Sequence, residues 1–76
     1  MSNDIQFMIE YICREVTLKL MSDFGWDIKA ALSALYDSDT YAKLENPATG
    51  MFYQSPVYVY DILSEELRLG KIPTLT

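Results

Sequence analysis

The sequence predicts an all-α fold, a small bundle of three main helices plus one short helix and an aromatic loop. Three observations carry that reading. Apolar residues recur at helical spacing in the first, second and last thirds of the chain. Cap and stop residues stand where each of those patterns begins and ends. The chain has 76 residues, 50% hydrophobic and 13% aromatic, with no long uncharged apolar run. That is one small domain with enough apolar material for a core, too apolar for a disordered acidic tail and without a membrane-spanning stretch.

The first helix is expected over about 4–24. Ser2 or Asn3 is placed to cap it, Asp4 sits at its positive end, and Gly25 stops it. Stepping 100° per residue puts Ile5, Met8, Ile9, Ile12, Cys13, Val16 and Leu20 on one broad face, flanked by Gln6, Glu10, Arg14 and Thr17. Phe7, Tyr11 and Leu18 form a second, narrower apolar stripe on the opposite side, set off by Glu15, Lys19 and Ser22. A helix with two apolar faces has to be covered twice.

The second helix is expected over 27–37. Asp27 caps it, and Ile28, Ala31, Leu32, Leu35 and Tyr36 match a single apolar face, with Ala30, Ala31 and Ala34 permitting close approach. The period breaks at Asp37-Ser38-Asp39-Thr40, whose short polar side chains suit turns and caps. A short helix over 40–45 then presents Tyr41 and Leu44, and Pro47 ends it.

Asn46-Pro47-Ala48-Thr49-Gly50 is a turn signal, and Met51-Phe52-Tyr53-Gln54 reads as an extended aromatic segment. Ser55-Pro56 reads as an N-cap followed by Pro at the first helical position, opening a last helix over 56–69. Val59, Tyr60, Leu63 and Leu67, with Ile62 at the margin, form its core face. Arg68 and Lys71 complement its negative end, Gly70 stops it, Pro73 prevents resumption, and 74–76 are expected to fray.

Composition excludes several kinds of chemistry. With one Cys and no His, neither a disulfide nor a tetrahedral zinc site can be assembled, and Cys13 among Ile9, Ile12 and Val16 has no base to activate it. Asp37-Ser38-Asp39 begins like a calcium loop, but the Gly and Glu that such a loop needs are replaced by Ala42 and Ala48. Glu65-Glu66 reads as a solvated helix face. No catalytic residue, cofactor site or metal site is expected, and the chain is expected not to be an enzyme. Six Lys and Arg are scattered through a chain of net charge −5, so no basic stripe exists to hold nucleic acid. Met1-Ser2-Asn3-Asp4 lacks the basic and apolar regions of a secretory signal, which points to the cytoplasm.

Function therefore rests on surface. The candidate interaction residues are Phe7, Tyr11 and Leu18 of the second stripe with Phe52, Tyr53 and Tyr58 of the aromatic-rich stretch, since Tyr and other aromatics supply rigid contact area. Three coverings of the stripe fit the sequence: the loop 46–55 of the same chain, a second copy in a dimer, or a different protein. A small-molecule pocket lined by Tyr is a further alternative.

The string 36–44, Tyr-Asp-Ser-Asp-Thr-Tyr-Ala-Lys-Leu, followed by 47–60, Pro-Ala-Thr-Gly-Met-Phe-Tyr-Gln-Ser-Pro-Val-Tyr-Val-Tyr, resembles a pattern of small bacterial proteins of uncharacterised function. Those proteins are associated with toxin-antitoxin-like gene clusters that include ADP-ribosyltransferase toxins. The resemblance implies a cytoplasmic bacterial protein without catalytic residues that partners or neutralises another protein, and it carries over no defined functional positions.

Overall fold

Helix α1 spans Ser2–Phe24, α2 Ile28–Tyr36, α3 Asp39–Glu45 and α4 Pro56–Leu69, with 3₁₀ turns at Pro47–Thr49 and Met51–Tyr53 between the last two. These come from a computed structural model that describes residues 2–70, with side chains from Asp4 onward. The fold is all-α, and no strand occurs among the described residues. Helix α1 already includes Ser2, so it takes in both residues expected to cap it. Their side chains, and the expectations for Lys71, Pro73 and 74–76, lie outside the described residues.

Local chemistry sets most boundaries. The Asp27 carboxylate accepts from the Ala30 N–H at 2.9 Å and starts α2. Ser38 opens α3, its hydroxyl oxygen accepting from the Tyr41 N–H at 2.9 Å while its own proton goes to the Leu35 carbonyl. One side chain thus closes α2 and starts α3, which fixes the corner between them. Asn46 Oδ1 accepts from Ala48 N–H at 3.0 Å, and Ser55 Oγ accepts from Tyr58 N–H at 3.2 Å with Pro56 at the first position of α4.

The segment 51–54 corrects an expectation. Met51–Tyr53 is a 3₁₀ turn, not extended chain, because Gly50 at φ 69° reverses the backbone and the Gln54 N–H then bonds back to the Met51 carbonyl. A left-handed residue between two tight turns is a place for glycine. The reversal turns Met51 and Phe52 inward, and both are buried.

The core is built from Ile9, Ile12, Val16 and Leu20 of α1, Ala31 and Leu35 of α2, Leu44 of α3, Met51 and Phe52, and Val59, Tyr60 and Leu63 of α4. Helix α1 packs on both α2 and α4, and α3 bridges α2 and α4. The molecule measures 36 × 31 × 18 Å. Its short dimension is that of about two helix diameters of roughly 10 Å. A helix in one of two layers has its core on one side and nothing of its own chain on the other.

Two polar side chains serve the core in ways the sequence did not suggest. Thr17, expected on a flank, is buried and donates its hydroxyl proton to the Cys13 carbonyl at 2.7 Å. Glu66, expected on a solvated face, instead reaches across to the start of α3. It accepts from the N–H groups of Asp39 and Thr40 and from the Thr40 hydroxyl. The cause is that α3 presents its unpaired N–H groups to α4.

Candidate interaction surface

Helix α1 places Phe7, Tyr11 and Leu18 within about 40° of one another around its axis, on the side away from the core. They are 69%, 51% and 53% exposed. Loop 46–55 does not cover them. Its inward residues Met51 and Phe52 meet the core instead. The stripe is thus solvent-facing in the isolated chain, and coverage by its own loop is excluded. Arg14 lies along the same face, its guanidinium 5.9 Å from the centroid of the Tyr11 ring and 3.8 Å from Glu15. Both contacts are exposed and individually weak.

The other candidate residues divide. Phe52 is only 6% exposed, so it belongs to the core and is withdrawn from the interaction surface; its ring stacks on Tyr53 at 4.4 Å. Tyr53 is exposed beyond it, and Tyr58 is exposed with Val57 in the first turns of α4. Tyr53 and Tyr58 therefore sit on different elements from the α1 stripe.

Helix α2 buries only part of the apolar face that its spacing defines. Ala31 and Leu35 are buried, Leu32 is half-buried, and Ile28 and Tyr36 are exposed. The signal was available in the width of the apolar arc of α2, which is too broad for one neighbouring helix to cover. Met8, expected on the core face of α1, is exposed at the edge of that face. Between α1 and α2 runs an open groove of about 400 Å³, floored by Ile9 and Cys13, with Leu18 on one lip and Ile28, Leu32, Tyr36 and Tyr41 opposite. Gln6, Glu10 and Arg14 line its polar side. Leu18 belongs to both the groove and the stripe, so the two apolar surfaces are continuous.

Two titratable side chains that line the groove, Cys13 and Tyr41, hold their protons more tightly than usual. Burial, reinforced by the negative charges of Glu45 and Glu10, pushes the Cys13 thiol up to about 11, which leaves it a poor nucleophile. Burial and a hydrogen bond to Glu45 at 2.9 Å push the Tyr41 phenol up to about 12. Tyr60 is raised likewise to about 12, by burial and by donating to Asp23 at 2.7 Å, with the Lys19 ammonium 5.4 Å from its ring centroid. Tyr60 thus ties α4 to α1, whereas the Tyr41 bond stays within α3. Among the described residues no group of three or more His, Cys, Asp or Glu gathers to hold a metal ion. No described helix is long and apolar enough to cross a membrane.

Comparison with protein-family models, curated proteins and solved structures finds no match.

Proposed function

We propose that this protein is a non-enzymatic association module that works as a homodimer, and that the outward face of α1 makes the contact. The observation that carries this is the exposed stripe of Phe7, Tyr11 and Leu18 on the helix face opposite the core. Single exposed apolar residues are ordinary, but an ordered stripe on a long helix, continuous with an apolar groove, is the pattern of a surface that is covered in use. The architecture supports the reading. The described residues are all-α in a chain of only 76 residues, and domains this small gain stability from association. Its free thiol and absence of disulfide staples suit a reducing compartment such as the cytoplasm.

The test is sedimentation equilibrium over a wide concentration range, with circular dichroism as the folding control. The native chain is expected to sediment as a dimer. Phe7→Glu with Leu18→Glu is expected to give a folded monomer; a native chain that stays monomeric at the highest concentration overturns the reading.

A second reading is binding to a different protein in an antitoxin-like role. It is favoured by Tyr53, Val57 and Tyr58, which are 74%, 56% and 48% exposed and which an α1 contact leaves free. Substituting Tyr53 and Tyr58 by Ser would then abolish co-purification with the product of a neighbouring gene while leaving the mass in solution unchanged.

A further inference from the structure

We infer that the groove between α1 and α2 binds a small organic cation, an alkylated ammonium with an apolar body, its charge seated at the corner where Tyr36 meets Tyr41 and its body laid along Ile9, Cys13 and Leu32. The site lies on the flank of α1 and uses neither Phe7 nor Tyr11, so it stands whether or not the chain pairs through them. The first argument is shape. At about 400 Å³ the groove falls within the roughly 300–1,000 Å³ of small-molecule sites, and like them it sets a few polar groups around an apolar floor. A hydrated metal ion gains nothing from such a floor, whereas an organic cation buries its carbon there.

The second argument is the aromatic pair. The Tyr36 and Tyr41 ring centroids stand 5.0 Å apart with their planes at 63°, so the rings form two walls of a corner instead of a closed stack. Both line the groove, Tyr36 exposed and Tyr41 half-buried, which leaves ring surface open to a ligand. The face of an aromatic ring carries the negative part of its quadrupole and attracts a cation. The Tyr41 hydroxyl donates to Glu45 at 2.9 Å, which pushes electron density into that ring and holds a carboxylate beside the corner.

The third argument is charge complementarity. Glu10 lines the polar wall and Glu45 stands at the Tyr41 end, and among the described residues neither forms an ion pair. Their field reaches the floor: after burial, the negative charges of Glu45 and Glu10 are what push the Cys13 thiol up to about 11. Arg14 is the one cation among the lining residues, and its guanidinium is turned outward, to the Tyr11 ring at 5.9 Å and to Glu15 at 3.8 Å. Two carboxylates and two ring faces over an apolar floor complement a positive charge on an apolar body and repel an anion. A primary ammonium such as a lysine side chain is more strongly hydrated and gives up more water to reach the rings, so the alkylated cation fits better.

The experiment titrates the full chain with benzyltrimethylammonium, with benzyl alcohol as the neutral control, phenylacetate as the anion and Nα-acetyl-lysine methylamide standing for a lysine of a partner protein. Amide proton–nitrogen spectra locate the binding. Benzyltrimethylammonium should shift the signals of Cys13, Leu32, Tyr36 and Tyr41 saturably and bind about tenfold more tightly than benzyl alcohol, with no binding of phenylacetate. Glu10→Gln with Glu45→Gln should remove most of that preference and Tyr36→Leu should weaken the cation severalfold, while Phe7→Ser leaves it unchanged. All of these positions are exposed, and unchanged circular dichroism confirms that the variants fold. Equal affinity for the cation and benzyl alcohol, a preference that survives the double carboxamide variant, shifts centred on Phe7 and Tyr11, or no saturable shift at millimolar probe overturns the site. Tighter binding of the lysine derivative overturns the small ligand in favour of a basic segment of another protein. Sedimentation reads pairing through α1 separately, so loss of one conclusion leaves the other standing.

Discussion

The carboxylate of Glu66 in α4 holds Thr40 in α3 by two bonds, accepting from the Thr40 N–H at 3.0 Å and from its hydroxyl at 2.7 Å, while its other oxygen accepts from the Asp39 N–H at 2.8 Å. Together with Ser38, this satisfies N–H groups in the first turn of a seven-residue helix too short to persist without tertiary support. Thr40 is fully buried, so its hydroxyl has no water to fall back on.

Glu66→Ala should therefore lower stability by about 2 kcal/mol, since charge-assisted bonds contribute more than neutral ones and here a buried hydroxyl is left unpaired. Glu66→Gln keeps one acceptor oxygen and should cost about half as much. Glu65→Ala, one residue away, removes only an exposed 3.5 Å ion pair with Arg68 and should change stability by less than about 0.5 kcal/mol. Urea unfolding midpoints of the three variants measure the order directly. Equal losses at 65 and 66 would contradict the capping role.

Alkaline pH should destabilise the fold in a defined window. The Tyr60 and Tyr41 phenols titrate at about 12 in the folded chain and near 10 when unfolded, because Tyr60 is buried, Tyr41 is partly desolvated, and each donates to a carboxylate. Raised folded values mean that the native state holds these protons more tightly. Their stabilisation is complete below pH 10 and is lost as pH climbs through 12. Tyr60→Phe keeps the ring in the core and removes the bond to Asp23, so it should lower stability at pH 8 and flatten the decline above pH 10. Thermal midpoints across that range, with phenolate absorbance as the titration readout, distinguish this from general base denaturation.

Ser64 lies buried on α4 with a hydroxyl oxygen that has no hydrogen-bond partner. Ser64→Ala removes a desolvated polar group and substitutes the strongest helix former, so stability should rise by about 1 kcal/mol. A loss on this substitution, seen in denaturant unfolding, would mean that the hydroxyl does have a partner.

These residues show where the sequence was readable. Periodicity located the helices, and Asp27, Ser55-Pro56 and Gly70 marked their ends, because those signals act within a few residues of one another. Glu66 was misread because its partners lie 26 and 27 residues away, and only packing reveals which end of α3 it meets. Phe52 was assigned to the surface because a 3₁₀ turn and an extended strand share the same short apolar string; the φ 69° of Gly50 decides which way the ring faces. Ile28 and Tyr36 fall on the same apolar face as the buried Ala31 and Leu35, yet a match to helical spacing does not say how much of the apolar arc a neighbour covers. The stripe of Phe7, Tyr11 and Leu18 was legible as a second apolar face. Its freedom from loop 46–55 was not, since that depends on where Met51 and Phe52 turn inward.

Association through that stripe has a thermodynamic signature independent of mass. If folding and pairing are coupled, unfolding one dimer releases two chains, and each tenfold increase in protein concentration adds about 1.4 kcal/mol to the apparent stability of the dimer. The thermal midpoint of the native chain should climb steadily with concentration. Phe7→Glu with Leu18→Glu should abolish that dependence, because both charges fall on the outward face of α1 and touch none of the buried residues Ile9, Ile12, Val16 or Leu20. The double variant's midpoint should then coincide with the native chain extrapolated to high dilution. A midpoint well below that limit would show that the substitutions damage the monomer itself, and a native midpoint that ignores concentration would remove the thermodynamic case for a dimer.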